Sequence, residues 1–187
     1  MKTKSLFLAA ALSVSSFSLA AMELANVKLS ESIEVNDQEL VLNGAGIRNK
    51  FFMDLYVAAL YTSEKGNKAE PMIEGDKPMA IRLNITSGMI TSERLVDAMN
   101  EGFDAATGGD TSAMEATIEE FMTHFEAPTN NGDQLTFFSI PGQGLVVNKN
   151  NELLTTVECE EFRKLVMKVW LGDKPSDRRL KRAMLKG

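Results

Sequence analysis

Arg48 is the side chain best suited to holding an anion. It stands two residues after Gly44-Ala45-Gly46 and just ahead of a stretch carrying Phe51, Phe52, Tyr56 and Tyr61. A guanidinium stays charged at any biological pH and offers five N–H donors in a fixed fork, which suits a carboxylate or a phenolate. Beside apolar walls, one such anchor makes the usual form of a small-ligand site, an apolar lining with few polar groups. The plainer role is an ion pair with a surface acid such as Asp54 or Glu64. The residue types alone leave both readings open.

Other chemistry is bounded quickly. His124 is the single histidine and lies among Phe121, Met122 and Phe125 in a helical pattern, where a surface or partly packed side chain is expected rather than a metal ligand or base. The single cysteine, Cys159, cannot form an intramolecular disulfide and heads an apolar helical pattern, so it reads as a small hydrophobe. There is no CxxC, HExxH or GxSxG. Gly142-Gln143-Gly144 falls between two strand patterns without the helix a dinucleotide site needs, so it reads as hairpin geometry. No cofactor and no metal are expected. The eleven methionines fall mostly on helical apolar faces, as a soft core or as a lining that accepts varied apolar ligands.

The elements that must position Arg48 follow from periodicity. Alternation at Val27–Leu29, Ile33–Val35 and Leu40–Leu42 predicts short strands, with a turn at Asn36-Asp37. Asn43 to Gly46 predicts a break, since glycine reaches backbone angles closed to other residues. The nearly continuous apolar run from Phe51 to Tyr61 predicts a central strand covered on both faces. Met79 to Thr86 alternates strictly, as a half-buried strand does. From Thr91 to Phe125 the spacing turns helical: Leu95, Met99 and Phe103, then Met114, Ile118, Phe121, Met122 and Phe125. Thr91 is placed to cap the first of these helices, and Ser112 with Glu115 forms a capping box for the second. Strands return at Gln134–Ile140, Gly144–Asn148 and Leu153–Val157. A helix from about Glu160 to Trp170 is stopped by Gly172, and Pro175-Ser176 opens a last helix bearing Arg178, Arg179, Lys181 and Arg182. With no regular βαβ alternation, this order predicts an α+β fold with helices on a mostly antiparallel sheet.

The chain opens with Met1-Lys2-Thr3-Lys4, an apolar core from Leu6 to Val14, and Ser18-Leu19-Ala20. These are the parts of a secretory signal peptide, expected to span residues 1–20, with the domain covering 22–187. The apolar core is well short of the roughly 20 residues that cross a bilayer. No transmembrane segment is expected in the mature chain, and a periplasmic address in a Gram-negative cell follows. The net charge is −6; losing Lys2 and Lys4 leaves 18 basic residues against 26 acidic ones, or −8. Such a surface repels phosphate backbones, which argues against nucleic acid as a partner. No oligomeric state follows from the sequence.

Two segments resemble the chalcone isomerase family. One runs Leu42-Asn43-Gly44-Ala45-Gly46-Ile47-Arg48-Asn49-Lys50-Phe51-Phe52 and continues through Leu55 to Tyr61. The other runs from Phe162-Arg163-Lys164 to Trp170-Leu171-Gly172-Asp173-Lys174-Pro175, then Leu180-Lys181. The second is similar to the exported bacterial branch in particular. The resemblance implies an open-faced β-sandwich, with helices on one face and a ligand cleft between sheet and helices. It implies that Arg48 holds the substrate oxyanion, as in enzymes that close a chalcone to a flavanone without a cofactor. The remaining polar positions of those enzymes differ here: a threonine falls at Tyr56, a tyrosine at Thr91, and an asparagine near Ala98, with Asn100 able to reach the same space if the helix is shifted. Related non-catalytic members bind fatty acids with the same arginine.

Three functions are then open: a binder of a fatty acid or similar small lipophilic acid or phenolic ligand, with Arg48, Tyr56 and Thr91 as ligand-binding residues; an intramolecular lyase acting on an enone-phenolate, needing a second polar group from Tyr56, Tyr61 or Asn84; and a cell-envelope interaction protein.

Overall fold

A computed structural model describes residues 22–50 and 52–187; the expected signal peptide and Phe51 lie outside the described residues. The alternating segments form a meander of seven strands, each antiparallel to the next: β3 (Ser32–Val35), β4 (Gln38–Lys50), β5 (Met53–Thr62), β6 (Met79–Ile85), β7 (Gln134–Ile140), β8 (Gly144–Lys149) and β9 (Glu152–Val157). A two-stranded ribbon, β1 (Glu23–Leu24) and β2 (Val27–Lys28), precedes them. Asn36-Asp37 and Asn150-Asn151 take positive φ, the geometry that tight hairpin turns demand and asparagine tolerates.

Because side chains alternate across a strand, the sheet carries two cores. On one face Ala58, Leu60, Ile81, Leu83, Leu135 and Phe137 pack under the helices. On the other, Val57, Ala59, Tyr61, Ala80 and Phe138 pack with Leu29, and Leu24 and Val27 of the ribbon lie against them. β5 lies between β4 and β6, buried on both faces as its apolar density predicts. It starts later than expected: Phe52 is fully exposed in the β4–β5 turn with φ of 65°, a strained conformation for a bulky side chain.

The helices are α1 (Ala69–Glu74), α2 (Ser92–Thr107), α3 (Glu115–Thr123), α4 (Glu160–Leu171) and α5 (Arg178–Met184). The short α1 carries no sequence periodicity and was not expected. Thr91 caps α2 by accepting the Arg94 N–H at 3.3 Å. Ser112 is no capping box: it begins a 3-10 turn ahead of α3 and bonds instead to Asp110. The buried Arg163 of α4 donates to Ile73 O of α1 at 3.1 Å and to Ser139 Oγ of β7 at 3.0 Å, joining three elements. Among the described residues no helix is long and apolar enough to cross a membrane.

One correction bears on the site. Gly44 and Gly46 do not end a strand: β4 continues through them, with its register to β5 shifted between Leu42 and Gly44, and neither glycine has positive φ. They admit a helix. A Cβ on Gly44 would lie 2.5 Å from Ala183 O and 2.6 Å from Met184 O; one on Gly46 would lie 2.7 Å from the Ala183 Cβ. The buried Asn43 locks this contact, donating to Met184 O at 2.8 Å and accepting from Gly66 N at 2.7 Å. Gly44→Ala is therefore expected to lower the unfolding free energy by about 1–3 kcal/mol in urea titration, the range for overpacking. Gly88→Ala, where nothing lies within 4 Å, should change it by less than about 0.5 kcal/mol. Equal midpoints for the two variants would mean that Gly44 is not there for the helix.

Candidate ligand-binding site

Gly44, Gly46 and Arg48 share one face of β4, so the strand that admits α5 also aims Arg48 at the helical side. α5 runs counter to β4: Ala183 and Met184 lie over Gly44, Leu180 over Gly46, and Asp177 meets Arg48. Arg48 Nη1 donates to Asp177 Oδ2 at 2.8 Å. Asp177 Oδ1 caps α5, accepting Arg179 N at 2.7 Å and Leu180 N at 3.0 Å. Each carboxylate oxygen thus has its own partner. The pair is largely withdrawn from water, with side-chain exposures of 24% and 16%.

Directly across the strand pair from Arg48 stands Tyr56. Its hydroxyl accepts a hydrogen bond from Trp170 Nε1 of α4 at 3.3 Å, and the Ser176 side chain lies against the same hydroxyl. Burial raises the Tyr56 phenol above its ordinary value, outweighing the Trp170 hydrogen bond, the Arg48 charge and the Ser176 hydrogen bond, so the group is neutral at physiological pH. Ser176, in the link between α4 and α5, is held by its N–H donating to Val169 O at 2.8 Å, and its buried Oγ lies beside the Tyr56 hydroxyl. Burial alone would raise the Asp177 carboxyl. The N–H groups of Leu180 and Arg179, then the Arg48 guanidinium, outweigh it and hold the group below the ordinary carboxylate value.

Arg48, Tyr56 and Ser176 all line one cavity of about 510 Å³. Its other walls are apolar: Leu55 and Leu83 from the sheet, Met89 and Ile90 ahead of α2, Leu95 and Met99 within α2, Val169 and Trp170 from α4. Ala98, Gly102 and Ala105 line the α2 side without filling it. Pro175 and exposed charges of both signs, Lys50, Arg94, Asp97, Glu101 and Lys174, complete the lining. The arrangement offers the Arg48 guanidinium and two hydroxyls to the polar end of an otherwise apolar molecule.

The cavity brings together only part of the sequence-predicted set. Arg48 pairs with neither acid first considered: Asp54 accepts from Asn49, and Glu64 pairs with Lys77 at 2.6 Å. Tyr56 lines the cavity. Thr91 is exposed and serves as a helix cap; its neighbours Ile90 and Arg94 line the cavity, and it does not. Ala98 is in the lining and Asn100 is not. Tyr61 lies in the core of the opposite face, donating to Ser30 O at 3.1 Å. Asn84, next to the cavity-lining Leu83, points away from the cavity and accepts from Gln134 at 2.9 Å. Of the methionines, Met89 and Met99 line the cavity. His124 borders a separate hollow with Thr155 and Glu158, and the described residues hold no cluster of His, Cys, Asp or Glu able to bind a metal. Sequence reasoning missed Asp177, although an Asp ahead of Arg178-Arg179-Leu180 is a helix N-cap signal.

A family model described as chalcone isomerase-like matches residues 21–186. Among solved structures, the crystal structure of a fatty-acid binding protein from Arabidopsis thaliana is similar, with a TM-score of 0.70 at 16% identity, over 89% of this chain and 96% of that one. At that identity the likeness is one of fold. No curated protein sequence matches.

The lowered Asp177 carboxyl predicts a stability term. It is present above the unfolded-state value of about 3.9 and is lost as pH falls through the lower folded value. Asp177→Asn keeps the cap and removes the titration. In urea unfolding followed from pH 6 to pH 2, its stability should fall less steeply below about pH 4 than that of the wild type. Superimposable profiles would remove Asp177 from the acid response.

Proposed function

Because the chain belongs to the chalcone isomerase-like family, we propose that it binds a fatty acid or a similar small lipophilic carboxylate in this cavity, with Arg48 as the anion anchor. The observation that carries the reading is the convergence of Arg48, Tyr56 and Ser176 on one apolar cavity of about 510 Å³. The guanidinium supplies the charge-assisted contact. Tyr56 O–H, held by Trp170 at its oxygen, is a neutral polar group beside the guanidinium. Ser176 Oγ lies beside the Tyr56 hydroxyl and adds a further neutral polar group to the same end of the cavity. The similar solved structure is a fatty-acid binding protein, which supports the same ligand class.

Nothing in this chemistry calls for a cofactor. Enone cyclisation is the weaker reading, since the asparagine expected of those enzymes is replaced in the lining by Ala98 and the tyrosine by the outward-facing Thr91. The site of action we propose is the periplasm, on the strength of the basic, apolar and small-residue parts of residues 1–20.

The test is ligand capture. Protein purified under native conditions should carry a long-chain acid by native mass spectrometry, and emptied protein should rebind dodecanoate. Arg48→Gln should weaken dodecanoate binding by roughly tenfold to a hundredfold, as expected for loss of hydrogen bonds from a charged group. Dodecanol affinity should change little. A protein that neither carries nor takes up dodecanoate would overturn the proposal.

A further inference from the structure

Arg48 already holds a carboxylate. Asp177 Oδ2 sits 2.8 Å from its Nη1, and the cavity that contains Arg48 also contains Ser176, the residue next to Asp177 in the chain. We propose that Asp177 is the residue that sets how strongly the cavity takes an acid: it is a built-in competitor for Arg48, so a ligand carboxylate must share the guanidinium with it. The inference rests on the acid-binding reading above, and concerns selectivity within that site.

The geometry distinguishes this role from simple helix capping. Capping uses Oδ1, which accepts the N–H groups of Arg179 and Leu180. Oδ2 is not needed for that task and is spent on Arg48. A neutral side chain with one acceptor would cap α5 equally well, as asparagine and serine do at helix N-termini generally. What the carboxylate adds is a negative charge at the head-group end of the cavity. There it cancels the charge of Arg48 and repels an incoming anion at short range, in a spot only partly screened by water. The other charged groups of the lining, Lys50, Arg94, Asp97, Glu101 and Lys174, are exposed and better screened. A fork of five donors has room for a second acceptor beside the first, so the wild-type cavity takes acids, but against this opposition. Tyr56 O–H and Ser176 Oγ, being neutral, contribute to acids and alcohols alike.

Dodecanoate and dodecanol differ in charge at the head and match in chain length, so they separate the effect of Asp177 from a change in the apolar walls. For Asp177→Asn, the dissociation constant for dodecanoate should fall by about tenfold, while that for dodecanol should move by less than about twofold. Asp177→Ser, which also keeps the cap and lacks the charge, should reproduce the gain, and thermal melts of both should show the fold intact. The gain should shrink as salt is raised. Weaker dodecanoate binding in both folded variants would mean that Asp177 positions Arg48 for the ligand rather than competing with it, and would overturn the inference. Parallel shifts for acid and alcohol would overturn it too, leaving the acid-binding proposal standing. If the wild type and both variants ignore dodecanoate, the inference and that proposal fall together.

Discussion

The contact between α5 and the glycines of β4 is the constraint on which the site depends. Two backbone positions without a Cβ let a helix lie on a strand closely enough that even an alanine methyl on Gly44 would strike the helix carbonyls. Once α5 lies there, running counter to the strand, its first turn must fall over the residue four positions beyond Gly44, which is Arg48. The ion pair, the position of Ser176 and the closing of the cavity by Pro175 follow from that one approach. Asn43 secures the other end of the contact through buried hydrogen bonds to Met184 O and Gly66.

The electrostatics of the cavity then follow. A guanidinium exposed over only a quarter of its side chain would lose much of its hydration with nothing in return. Asp177 supplies the return, and the N–H groups of the α5 first turn supply Asp177 with its own. This order of support runs from helix end to carboxylate to guanidinium, and each member has a partner. The hydroxyls differ in kind. Tyr56 is polarised by Trp170 and kept protonated by burial, while Ser176 is an aliphatic hydroxyl set beside it. The polar end of the cavity therefore combines a charge already balanced with a pair of neutral hydroxyls.

Much of the fold was legible because it is written in local period. Strands of period two and helices of period 3.6 pointed to a mostly antiparallel sheet with helices on it and to four of the five helices; α1, only 6 residues with a proline at its centre, has too little length to show a period. The site was harder. Gly44-Ala45-Gly46 was misread because glycine has two uses, freedom of φ and absence of a side chain, and sequence does not say which is needed. Asp177 was missed as a partner of Arg48 because 129 residues separate them, and only the packing of α5 brings them together. The exclusion of Tyr61, by contrast, was readable in advance: it stands five positions from Tyr56, an odd number, so in a regular strand the two must face opposite sides. The same parity separates Asn84 from Leu83.

The two sides of the cavity are built to different tolerances. The polar groups Arg48 and Tyr56 stand on adjacent strands, paired in register and covered by core on the opposite face, where backbone hydrogen bonds fix their spacing. The apolar side is a helix face on which Ala98, Gly102 and Ala105 recur at four and three residues, so the helix presents little bulk to the cavity while Leu95 and Met99 hold it to the core. Gly102 also lets α2 close on Val169 of α4, where a Cβ would come within 2.6 Å of Val169 Cγ1. Head-group geometry is thus set by the sheet and the room for the apolar body by the helix. A substitution on α2 can alter the length or width of what fits without moving the guanidinium, and one on β4 or α5 can alter the charge recognised without changing the room. Affinity for the chain and affinity for the head group are for that reason separable in this fold.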